Sequence, residues 1–110
     1  KLIKEYEQVE INPELEYLRK LLAKMTQQFE KVVNRTLEEE DNEFLEFHSR
    51  RLVEIAANII TGHLLLLDAN KDSTYKRSAD IFIKMARAEN ISKVGFINNF
   101  TQQDMSTFKF

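Results

Sequence analysis

An all-α fold, an antiparallel up-down-up bundle of three long helices with room for a short fourth, is predicted by three observations. Apolar residues recur at steps of three and four over long stretches, the period of one helix face. Turn formers are scarce, with 2 Gly and 1 Pro among 110 residues. The polar breaks between the periodic stretches are short, which makes successive helices antiparallel neighbours. A chain of this length fits one domain, with a core that hides roughly two thirds of the unfolded surface.

Composition narrows the function classes. Hydrophobic residues make up 43% and charged residues 31%, with a formal net charge of −2. The two signs are interspersed, so no field is expected to draw nucleic acid or an anionic membrane. With no Cys, the chain cannot make a thiolate metal site or a thiol nucleophile, and a cytoplasmic setting is the default.

The elements follow in order. KLIKEYEQVEI, residues 1–11, lacks clean periodicity and is expected to be a connector from an upstream domain; a start at Lys1 instead of Met suggests a piece of something longer. The helical bundle is expected over 12–100 and a tail over 101–110. Asn12 is placed to cap the first helix, Pro13 brings a preset φ where its missing N–H does no harm, and Glu14 and Glu16 suit the positive helix end. Leu15, Leu18, Leu22, Met25, Phe29 and Val32 then alternate in steps of three and four along one seam. That seam could pair with a second chain, but packing inside the same domain is the preferred reading. LEEEDNE, residues 37–43, is read as a solvated turn with Asp41 or Asn42 capping the next helix, not as an acidic metal cluster, because consecutive carboxylates cannot all face one ion.

The second helix is expected from about Asn42 to Leu67, and its stretch RLVEIAANIITGHLLLLD is the organising element of the chain. Glu54, Asn58, Thr61 and Asp68 form one narrow polar stripe on a helix otherwise expected to be buried. Its apolar part is shorter than the roughly 20 residues needed to cross a bilayer, so it reads as a core helix. Gly62 inside it implies a close approach by a neighbour. Asp68 to Asp72 is expected to turn, and Ser73 or Thr74 to cap a third helix carrying Tyr75, Ala79, Phe82, Ile83 and Ala86 inward. Ile91, Val94, Ile97 and Phe100 could prolong that helix past a kink near Gly95. Phe108 and Phe110 are split between docking and a disordered end.

Candidate chemistry is sparse. Asp68, Asn70 and Asp72 match the first ligand positions of a calcium loop, but Ser73 stands where that loop needs Gly and Ala79 where it needs Glu. His48 and His63 are the only imidazoles, and neither follows a Glu at the spacing of a di-iron bundle. His63 is expected at the core edge and His48 near a wetter helix start. Arg50, Arg51, Lys76, Arg77, Lys84 and Arg87 could touch a phosphate-bearing ligand, although Glu54 and Asp80 dilute them into a solvated, salt-bridged face. Two glycines cannot build a phosphate loop or a dinucleotide turn.

The segment LVEIAANIITGHLLLL, then a short polar turn, then DSTYKRSADIFIKMA, resembles the extra C-terminal helical domain of a subfamily of flavin-dependent acyl-CoA dehydrogenases. Gly62, Tyr75, Lys76, Ala79, Phe82 and Ala86 stand where that domain carries its pattern, and the likeness covers about residues 13–90. His63 replaces a common aromatic, and Asn90-Ile91-Ser92 replaces a closing Leu-Pro. The resemblance implies an accessory domain giving structural or subunit-contact support, with the upstream flavin-binding domains of the same polypeptide as partners and a homo-oligomer as the assembly. It implies FAD in the parent enzyme and a role in fatty acid metabolism. It implies no catalytic, cofactor-binding or metal-ligating residue in this chain. A free-standing helical adaptor or dimerisation module is the alternative.

Overall fold

The computed structural model describes residues 10–100 and Asp104. Most of the expected connector and tail lies outside the described residues. Within them the fold is the expected all-α antiparallel bundle of three long helices: α1, Glu16–Glu38; α2, Asn42–Lys71; α3, Lys76–Asn99. Single 3₁₀ turns, Pro13–Leu15 and Ser73–Tyr75, lead into α1 and α3.

Pro13 sits at the first position of its turn, as its missing N–H requires. Asn12 does not cap. Its side chain makes no capping bond; its backbone N–H donates to Asn70 Oδ1 at 2.8 Å, which ties the start of α1 to the end of α2. The seam of α1 turns inward, with Leu15, Leu18, Leu22, Met25 and Val32 at most 1% exposed. Each such burial is worth about 1.5–3 kcal/mol, so the seam is used up inside the domain. Thr26 and Thr36 share this face and satisfy their hydroxyls on the carbonyls of Leu22 and Val32.

The charged run is a turn, as expected, but α1 continues into it as far as Glu38. Glu40 then adopts φ 50°, a left-handed conformation unusual for a side-chain-bearing residue. Asp41 caps α2, its Oδ1 accepting from the N–H groups of Glu43 and Phe44.

Two expectations for α2 need correction. It runs four residues beyond Leu67, through the expected turn, because Ala69 is buried and Asn70 is anchored to Asn12 and to the carbonyl of Glu10. It is also not buried all round. Ile55, Ile59, Gly62, Leu66 and Ala69 face the core, whereas Val53 is 67% and Leu64 47% exposed. Two neighbours cover only part of a helix circumference. At 30 residues and a mean hydropathy of 1.5 over its best window, α2 is long and apolar enough to cross a membrane by length and composition. Its inward face is nonetheless occupied by α1 and α3, the arrangement of a bundle's core helix.

At Gly62 the three helices press close together. A Cβ there would lie 2.7 Å from Leu22 Cδ2 and 3.4 Å from Ile83 Cγ1. Along the other side of α2, Asn90 is 1% exposed and donates to the Ile55 carbonyl while accepting from Asn58, which also donates to Glu89. This polar clasp sets the level of α3 against α2.

Asp72, not Ser73 or Thr74, caps the second 3₁₀ turn, accepting from the Thr74 N–H and hydroxyl at 3.0 and 2.8 Å. The inner face of α3 is Ala79, Ile83, Ala86, Asn90 and Ile97. Tyr75, expected inward, is 51% exposed because it precedes the helix on the outside of the turn. The helix is continuous through Gly95, and Ile97 and Phe100 are buried, so residues 91–99 belong to α3 and form no separate element.

Candidate functional site

The end of the bundle where α2 begins and α3 finishes brings together more polar and aromatic chemistry than any place the residue spacing pointed to. Phe44 and Phe47 from the first turns of α2, Phe96 from the last turn of α3 and Phe100 just past its end surround His48. Ring centroids of the four lie 4.7, 5.0, 6.0 and 5.2 Å from the imidazole, all edge-on. Arg51 Cζ stands 4.9 Å from the Phe47 ring and 4.5 Å from the Phe96 ring, and its Nη1 donates to the Phe47 carbonyl at 3.0 Å. Arg35, from the end of α1, approaches Phe44 at 6.0 Å.

His48 is 0% exposed, contrary to the wetter setting expected for it. Neither of its ring nitrogens has a hydrogen-bond partner among the described residues. Burial pushes its pKa down to about 4, and Arg51 and Arg35 add to the shift. The ring is thus a neutral member of a hydrophobic cluster at neutral pH. A general base needs an open path to the proton it takes, and four phenyl rings close the path here. His63 is 1% exposed, deeper than the core edge expected; burial first and Arg19 second push its pKa down to about 4.

A second cluster lies at the opposite end, where α1 begins beside the start of α3. Tyr17 donates to Asp80 Oδ1 at 2.7 Å, and Lys84 Nζ reaches the same oxygen at 3.1 Å. The bond to Asp80 raises the Tyr17 pKa, and the same bond, followed by the one from Lys84, lowers that of Asp80. Lys76 pairs loosely with Glu14 at 3.9 Å. A shallow groove of about 350 Å³ lined by Tyr17, Ser73, Thr74, Lys76, Arg77 and Asp80 runs alongside. The structure therefore gathers Lys76, Lys84 and Asp80 of the sequence-predicted charged set, with Asp80 neutralising the cations as expected of a salt-bridged face. Arg50 and Arg87 stand exposed elsewhere.

The calcium-like residues are not brought together. Asp68 and Asn70 lie within α2, and Asp72 is engaged as a cap. Among the described residues no group of three or more His, Asp or Glu could hold a metal ion. The aromatic box around His48 had no sequence signal beyond the pair Phe47-His48, since its other half comes from residues some fifty positions downstream.

The description "Acyl-CoA dehydrogenase C terminal" fits residues 1–105 as a family model. The crystal structure of an acyl-CoA dehydrogenase family protein from Porphyromonas gingivalis superposes with a TM-score of 0.85 at 37% identity, over 89% of this chain and 84% of that one. No curated protein matches the chain. A match over nearly the whole length assigns the family: the chain belongs to the acyl-CoA dehydrogenase C-terminal domain family.

Proposed function

We propose that this domain is an accessory part of an FAD-dependent acyl-CoA dehydrogenase, giving structural or subunit-contact support while proton abstraction and hydride transfer take place on upstream domains of the polypeptide. The observation that carries the reading is the interior itself. It is filled by hydrocarbon from three helices, and its two imidazoles are buried and kept neutral.

The residues present do not fit a flavin. Gly62 and Gly95 both lie inside helices, where their amides are already bonded, so neither glycine offers a turn to cradle a pyrophosphate. Among the described residues, two surface grooves of about 350 and 270 Å³ are lined by exposed and half-exposed side chains with no aromatic wall for an isoalloxazine beyond Tyr17, which Asp80 holds. In the family setting FAD belongs to the upstream domains. A cytoplasmic location, the absence of a membrane or nucleic-acid partner, and the division into connector 1–11, bundle 12–100 and tail 101–110 are parts of the same proposal.

Titrating FAD into the purified chain while following flavin fluorescence, with acyl-CoA turnover assayed in parallel, tests this. No binding and no turnover are expected; stoichiometric flavin on the 110 residues would overturn it. A free-standing helical module is the second reading. Its seam cannot be the one expected from Leu15 to Val32, which is interior. The reading frame upstream of Lys1 separates the two: flavin-binding domains in frame support the accessory domain.

A further inference from the structure

At the end where α2 begins and α3 finishes, the box around His48 has an outer side. Phe96 is 42% exposed there, and Phe47 and Arg51 are half-buried. The Arg51 guanidinium lies over both rings, 4.9 Å from that of Phe47 and 4.5 Å from that of Phe96. Phe100 joins the same group, its ring 4.8 Å from Phe47 and 5.3 Å from Phe96. Contact therefore runs unbroken from Phe47 through Arg51 to Phe96. One exposed ring by itself would need no explanation. A guanidinium stacked between rings, with one ring face still open to water, offers the contacts by which a further aromatic side chain binds.

The chain leads away from this very surface. Phe100 ends α3 in an extended conformation while it is still inside the box, 6% exposed. Asp104, four residues on, is helical and half-buried, so the chain stays against the protein there. The sequence then reads Met-Ser-Thr-Phe-Lys-Phe over 105–110, three large apolar side chains in six positions. Those six positions lie outside the described residues.

We propose that segment 105–110 docks on the surface of Phe47, Arg51 and Phe96 through the rings of Phe108 and Phe110, so that the chain's own tail closes the box around His48. The proposal goes beyond the accessory role and does not depend on it.

Three considerations select the tail as the occupant. The first is reach. Eight residues separate Phe100 from Phe108, up to about 26 Å of extended chain, and the target rings lie within 5.3 Å of the Phe100 ring. The second is demand. The interior is already filled, with Leu18, Leu22, Ile55, Ile59 and Ile83 at 0% exposure, so the apolar side chains after Asp104 have no place among the three helices and are matched only by a surface such as this one. The third is the tether. A short linker holds a segment near its site at an effective concentration on the order of millimolar, so ring contacts too weak to retain a separate partner suffice for a segment joined to Phe100.

Amide hydrogen exchange and proton NMR of the full 110-residue chain test the proposal. Amides of 106–110 should exchange about tenfold slower than in an unstructured peptide. Phe96→Ala, which removes a ring that is not part of the core, should return them to the unstructured rate. The double variant Phe108→Ala/Phe110→Ala, which leaves the bundle untouched, should shift the ring protons of Phe47, His48 and Phe96 and leave the methyl groups of Ile59 and Ile83 in place. Tail amides at the unstructured rate in the wild-type chain overturn the proposal and leave the surface open to an outside partner. Protected amides that ignore Phe96→Ala, or ring protons that ignore the double variant, place the tail elsewhere and overturn this site.

Discussion

At the scale of single residues, His48 gives the sharpest expectation. Its folded pKa, near 4, lies below the ordinary 6.5, so the unfolded chain binds a proton that the folded chain refuses. Stability from this ring is complete above about pH 6.5 and is lost as pH falls toward 4; His63 acts in the same sense. Each ring accounts for at most about 3 kcal/mol. Urea denaturation at pH 7 and pH 5 should show the loss, and His48→Leu should shrink it; an unchanged pH slope in that variant would contradict the burial. Glu40→Gly should stabilise by about 1 kcal/mol, since only glycine takes φ 50° without penalty. Ile59→Ala should cost about 2–5 kcal/mol in the same assay, while Glu38→Ala, on an exposed last turn, should change almost nothing. Ile59 was legible as core from periodicity alone. The burial of His48 was not, because the ring that closes over it, Phe100, lies beyond the reach of any local pattern.

At the scale of elements, the two glycines of the chain make opposite predictions. At Gly62 a methyl group would press on Leu22, whose side chain is itself fully buried and has no room to retreat. Gly62→Ala should therefore destabilise by about 1–3 kcal/mol in spite of the better helix former. At Gly95 an added Cβ meets nothing within 4 Å, and Gly95→Ala should stabilise by about 0.5–1 kcal/mol. Thermal denaturation of the two variants checks both signs at once. The seam of α1, the Pro13 start and the Asp41 cap could be read directly, since each rests on neighbours in sequence. The length of α2 could not: Asp68-Ala-Asn-Lys-Asp has the composition of a turn, and the bonds of Asn70 with Asn12 and Glu10 and the burial of Ala69 hold it helical. Likewise the Asn90 clasp has no local sign, because its partners Asn58 and Ile55 lie on another helix.

At the scale of the whole molecule, the fold class and the inward-facing residues were legible because a helix period and short breaks leave few alternatives to a three-helix bundle. The all-round apolar pattern of α2 was misleading for a reason that now carries meaning. A helix in a three-helix bundle buries only the side its two neighbours reach, and the surplus apolar residues Val53 and Leu64 are left exposed. Amide hydrogen exchange of the purified chain tests the central claim, that α2 is the rod on which the other two helices are assembled. Amides of residues 55–66 should exchange as slowly as those of 18–25 and 83–90, all three sets opening together in global unfolding. Exchange at 55–66 faster than in the other two helices, at the rate of a frayed end, would contradict it.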